Sequence, residues 1–150
     1  MSSFKWGTKP DALVRKIKKR FTSIYKDVLK DEILDDITSG VSPVYRQRMV
    51  KYSKSYKAFI KRLPTSKDKG LVNLYLTGAL HKSLRIKETA RGLYIVFRDK
   101  KASWHNDGTS KMPRRAILPN KKDERFNNRI TKLSDRLLIK IIKQTIKRSK

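Results

Sequence analysis

Residues Ala102–Pro119 read ASWHNDGTSKMPRRAILP and separate two simpler patterns, a predicted β-hairpin before them and a predicted amphipathic helix after them. The stretch holds His105 and the dipeptide Asp107-Gly108, which favours positive φ and a sharp reversal of the chain. Pro113 has no N–H to donate to a ladder, and it favours extended geometry in the residue before it. The stretch therefore predicts a structured loop that is held by its own turn chemistry.

The hairpin is predicted from two β-rich segments. Leu84 and Ile86 alternate with basic residues, and the run LYIVF at 93–97 follows a glycine-containing turn, Thr89–Gly92. β-Branched and aromatic residues on either side of such a turn are typical of an antiparallel pair. Before the hairpin, Thr77 is predicted to cap a short helical turn.

Two long helices are predicted from apolar residues at spacings of three and four. The first runs from an N-cap at Thr8 to Ser39-Gly40, and the second begins at about Asp123. The apolar residues are Leu13, Ile17, Phe21, Ile24 and Val28 in the first helix, and Phe126, Ile130, Leu133, Leu137 and Ile141 in the second. The predicted fold class is α+β, with both helices packed on a small antiparallel sheet.

Between the first helix and the hairpin, Val41–Gly70 carries nine basic residues against one acid. Three tyrosines are interleaved with these bases: Tyr45, Tyr52 and Tyr56. Such a pattern suits stacking on nucleic-acid bases, and it equally suits an arm that anchors on a neighbouring subunit. We interpret 41–70 as a long extended loop or arm with one short helix at about 53–62, since long loops in small domains are usually functional.

Composition limits the partners of the chain. Its 150 residues predict one domain, and 39 Lys and Arg against 13 Asp and Glu give a net charge of +26. Charge of that size favours a polyanionic neighbour, although an AT-rich genome would also enrich lysine. No cysteine is present to form a disulfide. No signal peptide or membrane span is predicted, so we expect a soluble protein that is made in a cytoplasm.

The residues available for catalysis do not predict an enzyme. Only His81 and His105 can supply an imidazole, and the acids near His105 are Asp99 and Asp107. Nuclease sites usually converge several carboxylates or histidines on metal ions. We therefore interpret His105 as a structural residue that hydrogen-bonds loop backbone. No catalytic residue, metal site or cofactor is predicted.

Four passages lie in order between Ser39 and Phe126. They are SGVSPV with KYSKSY (39–44, 51–56), VNLYLTGAL with SL (72–80, 83–84), IVF (95–97), and WHNDG with MPRR (104–108, 112–115). Together they resemble the tail-completion, neck or virion-morphogenesis (minor tail component) proteins of tailed bacteriophages. The last passage is similar to the family's signature of His, a polar residue, any residue and Gly, then Met-Pro-any-Arg. The high basicity departs from the family.

The resemblance implies a structural virion protein that is made in the host cytoplasm and placed at the head–tail junction. It implies a homo-oligomeric ring, a hexamer or a dodecamer, that joins the connector to the tail around the DNA channel and contacts other connector and tail proteins. In this interpretation 102–119 is a docking loop and 41–70 an arm. The expected interface residues, beside the three tyrosines, are Trp104, His105, Asp107, Gly108, Met112, Pro113, Arg114 and Arg115.

The positive charge leaves a second hypothesis open. A non-specific nucleic-acid-binding protein would contact phosphates through spread cations rather than read bases with one recognition helix. The residues expected to face DNA are Arg46, Arg48, Lys51, Lys54 and Lys57. The pair Arg114 and Arg115 is expected to be exposed, with Trp104 beside it as an apolar anchor.

Overall fold

The computed structural model describes residues 10–64, 70–89, 92–120 and 122–147. Two long helices pack with a two-stranded antiparallel sheet, which confirms the predicted α+β class. The elements in chain order are α1 (Pro10–Thr38), α2 (Lys54–Lys61), α3 (Ala79–Ser83), β1 (Leu84–Thr89), β2 (Gly92–Phe97), α4 (Lys101–Asp107) and α5 (Glu124–Lys147).

Helix α1 ends where the sequence predicts, since Thr38 is its last residue and Gly40 takes a left-handed φ of 73°. The predicted N-cap, Thr8, lies outside the described residues. The predicted core row is only partly right, because Leu13 is exposed and the other members are half-buried. The buried apolar residues of α1 form a different row with a spacing of four: Tyr25, Leu29, Ile33 and Ile37.

The hairpin forms as predicted, in the register Leu84↔Phe97 and Ile86↔Ile95. Leu84 is fully buried, and it belongs to a cluster that also holds Ile33 and Ile37 of α1. One face of the hairpin is therefore packed against α1. Residues 90 and 91 of the predicted turn lie outside the described residues.

Residues 41–52 do not extend away from the domain as an arm. The Met49 N–H donates to the Gly40 carbonyl (2.9 Å), and Val41 pairs with Arg48 in an antiparallel bridge. The Ser42 hydroxyl donates to the Ala116 carbonyl (2.6 Å), and Met49 is buried in the core. The prediction of an arm is wrong for 41–52, because these residues satisfy their backbone groups within their own chain. The predicted short helix is confirmed as α2, and residues 65–69 lie outside the described residues.

The first part of the predicted loop, 102–119, is helical. Helix α4 ends at Asp107, where the Gly108 N–H donates to the Trp104 carbonyl (2.9 Å). Asp107-Gly108 is thus a helix end, with Gly108 at a φ of 77°, rather than a free-standing turn. The reversal of the chain lies just beyond, where Thr109 and Met112 form a β-bridge.

Helices α1 and α5 lie antiparallel. Arg20 Nη2 donates to Gln144 Oε1 (2.9 Å) at one end of the pair, and Arg129 Nη1 donates to Asp36 Oδ2 (2.6 Å) towards the other. Helix α5 begins one residue after the predicted start. Its inner face includes Phe126 and Ile141, which are buried as the apolar spacing predicts.

Candidate functional site: an aromatic groove

An open groove of about 430 Å³ lies between α2, residues 74–80 and the segment from α4 to Arg115. Its floor contains Ile60, Leu74 and Leu80, which are buried. Seven of the eleven residues that were expected to form an interface line this groove: Tyr52, Tyr56, Trp104, His105, Met112, Pro113 and Arg115. The fold therefore brings together residues that lie more than sixty positions apart in the sequence.

The walls of the groove present aromatic faces to solvent. Trp104 is 51% exposed and Tyr56 is 39% exposed, while the Tyr52 ring packs edge-on against Tyr56 at 5.0 Å between centroids. Phe59 extends this aromatic row along α2, at 6.1 Å from Tyr56. Trp104 keeps half of its surface in solvent, so the apolar anchor that the sequence predicts beside the arginine pair is accessible.

Arg115 supports the groove from its buried side. Its side chain is only 4% exposed, so the expectation of an exposed Arg114–Arg115 pair is wrong for Arg115. Arg115 Nε donates to the Val50 carbonyl (2.9 Å) and Nη2 to the Lys51 carbonyl (3.3 Å), and the guanidinium lies 5.1 Å from the Tyr52 ring centroid. Burial lowers the pKa of Arg115, while the neighbouring tyrosines raise it. The guanidinium therefore links residues 50–52 to the segment that follows α4.

Asn106 makes the second connection, which the sequence did not single out. Its side-chain Oδ1 accepts from the N–H groups of Ile117 (3.2 Å) and Leu118 (2.9 Å), and its carbonyl accepts from Arg114 Nε (3.0 Å). The Arg115 N–H donates to the His105 carbonyl (2.6 Å). Helix α4 and the strand-like segment 112–118 are thus fastened side by side.

His105 lines the groove, but the surroundings of its ring differ from those that were predicted. Its Nδ1 is buried and has no hydrogen-bond partner, so the bond from His105 to loop backbone is made by its main-chain carbonyl, which accepts from the Arg115 N–H, and not by Nδ1. Burial lowers the pKa of His105 from 6.5 to about 4, and the positive charges of Arg115 and Lys101 act in the same direction against a smaller opposing effect of Asp99. The imidazole is therefore neutral near pH 7.

The other expected interface residues lie beside the groove. Arg114 is exposed and its guanidinium lies 6.0 Å from the ring centroid of Tyr45. Asp107 is exposed and accepts from Asn106 Nδ2 (3.0 Å). A Cβ on Gly108 would lie 3.1 Å from the Arg114 backbone nitrogen, and the φ of 77° strains other residues, so glycine is favoured at this position.

The five cations expected to face DNA differ in exposure and in their partners. Arg46 is in an ion pair with Asp36, which is 8% exposed and also binds Arg129. Lys57 is half-buried, whereas the other four are exposed: Arg46, Arg48, Lys51 and Lys54. Arg46 therefore has a structural role, because it neutralises a buried carboxylate. The sequence did not single out Asp36 as a structural residue, because its partners Arg46 and Arg129 lie 10 and 93 residues away in the chain.

Among residues 10–64, 70–89, 92–120 and 122–147, no group of three or more histidine, aspartate or glutamate side chains could hold a metal ion. Within the same residues, no helix combines the length and apolar character that a bilayer span requires. What the groove offers instead is preformed aromatic and aliphatic contact area with cations at its edge. Such a surface suits binding of another macromolecule.

No family model matches this chain, and no curated protein or solved structure matches it either. The resemblance to phage neck proteins therefore stays a prediction from its sequence passages.

Proposed function

We propose that this chain is a structural protein of a tailed-bacteriophage virion, located at the head–tail junction, where it assembles as a ring. The observation that carries the proposal is the convergence of seven expected interface residues on one exposed aromatic groove. Three of the four sequence passages that resemble the family contribute residues to the groove, namely 51–56, 72–80 and 104–115. The proposal assigns the groove to contact between neighbouring copies.

The composition of the groove supports a protein partner. Trp, Tyr, Met and Arg are enriched in the buried centres of protein interfaces, and Tyr56, Trp104 and Met112 line this groove together. The exposed halves of Trp104 and Tyr56 offer large apolar area that loses little side-chain entropy on binding. Lys101 and Lys111 lie at the groove and provide polar contacts around it.

The rear support suits a surface that meets its partner without rearranging. Arg115 and Asn106 fix the segment 109–118 through hydrogen bonds to backbone. A preformed groove avoids much of the ordering cost of association. We propose that it receives a different surface of the adjacent copy, since such heterologous contacts close into rings under rotation.

Size and shape of the purified full-length chain test this proposal. Native mass spectrometry and electron microscopy are expected to show a ring of defined symmetry. The double variant Trp104→Ala, Tyr56→Ala is expected to shift the ring to smaller species. Tyr94→Ala is the matched control, because Tyr94 is equally exposed (47%) but lies on β2, away from the groove.

Two results would overturn the proposal. A chain that stays monomeric at high concentration, or rings that survive the groove variant as well as the control, would exclude the groove as the contact. Mass analysis of tailed particles from a producing host is expected to detect the chain. Its absence from virions would exclude the head–tail assignment.

The second candidate function is non-specific nucleic-acid binding, which is favoured by the net charge of +26. It predicts a monomer whose DNA affinity falls steeply with salt. A salt-independent affinity would exclude it.

A further inference from the structure

The outer face of α5 carries a continuous row of bases. Seven of them follow one another at spacings of four, three, four, four, three and four, which keeps them on one side of a helix. They are Arg125, Arg129, Lys132, Arg136, Lys140, Lys143 and Lys147. The buried residues of the helix, including Ile141 and Thr145, lie on another side. We call these seven residues the basic row.

Only one member of the basic row has an internal use. Arg129 binds Asp36 and the Pro43 carbonyl, and its side chain is 22% exposed. The other six are exposed, and within the described parts of the chain no ion pair joins any of them to a carboxylate. Six cationic side chains are thus exposed to solvent along the full length of the helix.

Neither the helix dipole nor an ordinary solvent-facing helix surface explains the basic row. The helix dipole favours cations only in the last turn, whereas the row begins at Arg125, in the first turn. A solvent-facing helix surface usually mixes both signs, with acids three or four residues from bases. Here the acids of α5, Glu124 and Asp135, lie outside the row, and like charges repeat at a spacing of four, which disfavours the helix. The row therefore opposes helix stability unless an anion neutralises it.

Helix α1 carries further bases near one end of the basic row. Its first half lies beside the end of α5, as the contact between Arg20 and Gln144 shows. Residues 12–26 contain six bases and no acid: Arg15, Lys16, Lys18, Lys19, Arg20 and Lys26. Glu88 of β1 neutralises Lys26 (2.8 Å). The end of α5 that holds Lys143 and Lys147 therefore has further bases close to it.

We propose that the basic row of α5 is a binding site for the phosphate backbone of duplex nucleic acid. From Arg125 to Lys147 the row spans about 33 Å, at about 1.5 Å per helical residue. That length is close to one turn of duplex, which carries a phosphate charge about every 1.7 Å. The contacts are to phosphates, and the row has no preference for base sequence.

Two other occupants fit less well. An exposed acidic row at a spacing of four, Asp27, Asp31 and Asp35 on α1, could meet the basic row of another copy, but it offers three charges to six. A membrane surface needs a helix with a free apolar face. The buried side of α5, with Phe126 and Ile141, is covered because α1 packs along the helix. The large apolar residues of α5 that are exposed are two isoleucines, Ile139 and Ile146. Duplex nucleic acid matches both the length and the excess of charge.

Binding of a labelled 30-base-pair DNA duplex by the full-length chain tests the site, with fluorescence anisotropy at several salt concentrations. The row variant replaces Lys132, Arg136, Lys140 and Lys143 with Gln, which keeps helix propensity nearly unchanged. The control replaces Arg48, Lys51, Lys54 and Lys57 with Gln and removes the same charge from the region first expected to face DNA. The row variant is expected to lose at least about 30-fold in affinity near physiological salt, and its salt slope to fall by about 3.

The control is expected to lose less than about 5-fold, with its slope unchanged. Equal losses in both variants would overturn the site, because they would report net charge alone. If the row variant lost binding to phosphatidylserine vesicles but kept its affinity for DNA, the proposed site would be overturned in favour of a membrane surface. If the row variant and a variant with Asp27, Asp31 and Asp35 changed to Asn lost oligomers but kept DNA binding, the row would be an interface between copies. The proposal does not rest on the head–tail assignment, which is tested on the groove.

Discussion

The groove and the basic row use the same kind of residue in opposite ways. At the groove, the Arg115 guanidinium is buried and donates hydrogen bonds to the Val50 and Lys51 carbonyls. Along α5, all but one of the bases keep their donors in solvent. The number of arginines and lysines in a stretch therefore says little about its role. The partner of each cation decides whether it supports the fold or is free to meet a ligand.

The largest effect is expected at Arg115. Replacing Arg115 with Ala leaves two backbone carbonyls without a charged donor and removes the cation that packs on Tyr52, so we expect a loss of about 3 kcal/mol in unfolding free energy. Urea denaturation followed by circular dichroism measures this loss. Groove binding by the folded fraction is also expected to weaken, because Tyr52 loses its support.

Arg114 provides the matched control for Arg115. Arg114 is exposed and makes one hydrogen bond, to the Asn106 carbonyl. We expect Arg114→Ala to cost less than about 0.5 kcal/mol. Equal costs for the two neighbours would contradict the assignment of Arg115 as the support of the groove.

A pH-dependent effect of intermediate size is expected from His105. Its pKa is about 4 in the fold against 6.5 in the unfolded chain, because burial and Arg115 disfavour the charged ring. Between these values the unfolded state binds the extra proton, so stability is complete above pH 6.5 and falls as the pH drops towards 4. The full shift corresponds to roughly 3 kcal/mol, and since the ring keeps some contact with solvent we expect roughly 2 kcal/mol.

Comparison with His105→Gln isolates this contribution from that of the carboxylates. The variant lacks the titrating ring, so its stability is expected to vary less between pH 6.5 and 4, as measured by urea midpoints at each pH. Parallel pH curves for the two proteins would show that His105 titrates normally in the fold.

The elements that could be predicted from the sequence are those whose signals are local. Helix α2 has its cap in its own sequence, since the Ser53 hydroxyl accepts from the Tyr56 N–H. The hairpin and α5 follow from alternation and helical spacing. Helix α4 was missed because its N-cap position is Lys100, which makes no side-chain cap, while Asp107-Gly108 gives a strong turn signal.

What could not be predicted depends on long-range contacts. Nothing local distinguishes Arg114 from Arg115, and only the carbonyls 64 and 65 residues away make one of them structural. In α1, two apolar rows compete, and the hairpin selects the one that contains Ile33. The groove could be predicted as a set of residues but not as a shape, because its walls come from three separate segments.

The smallest predicted effect lies within the basic row itself, where Arg129 differs from Arg136, which lies two helical turns further along. Arg129 binds Asp36 and packs at 5.6 Å over the Phe126 ring, and its loss leaves the buried carboxylate with Arg46 alone. We expect Arg129→Gln to cost about 1–2 kcal/mol, less than a fully broken buried pair because Arg46 remains. Arg136→Gln is expected to change stability by less than about 0.5 kcal/mol, since it also relieves repulsion from Lys132 and Lys140. Urea midpoints of the two variants measure the difference, and a cost at Arg136 as large as that at Arg129 would mean that the outer row also supports the fold.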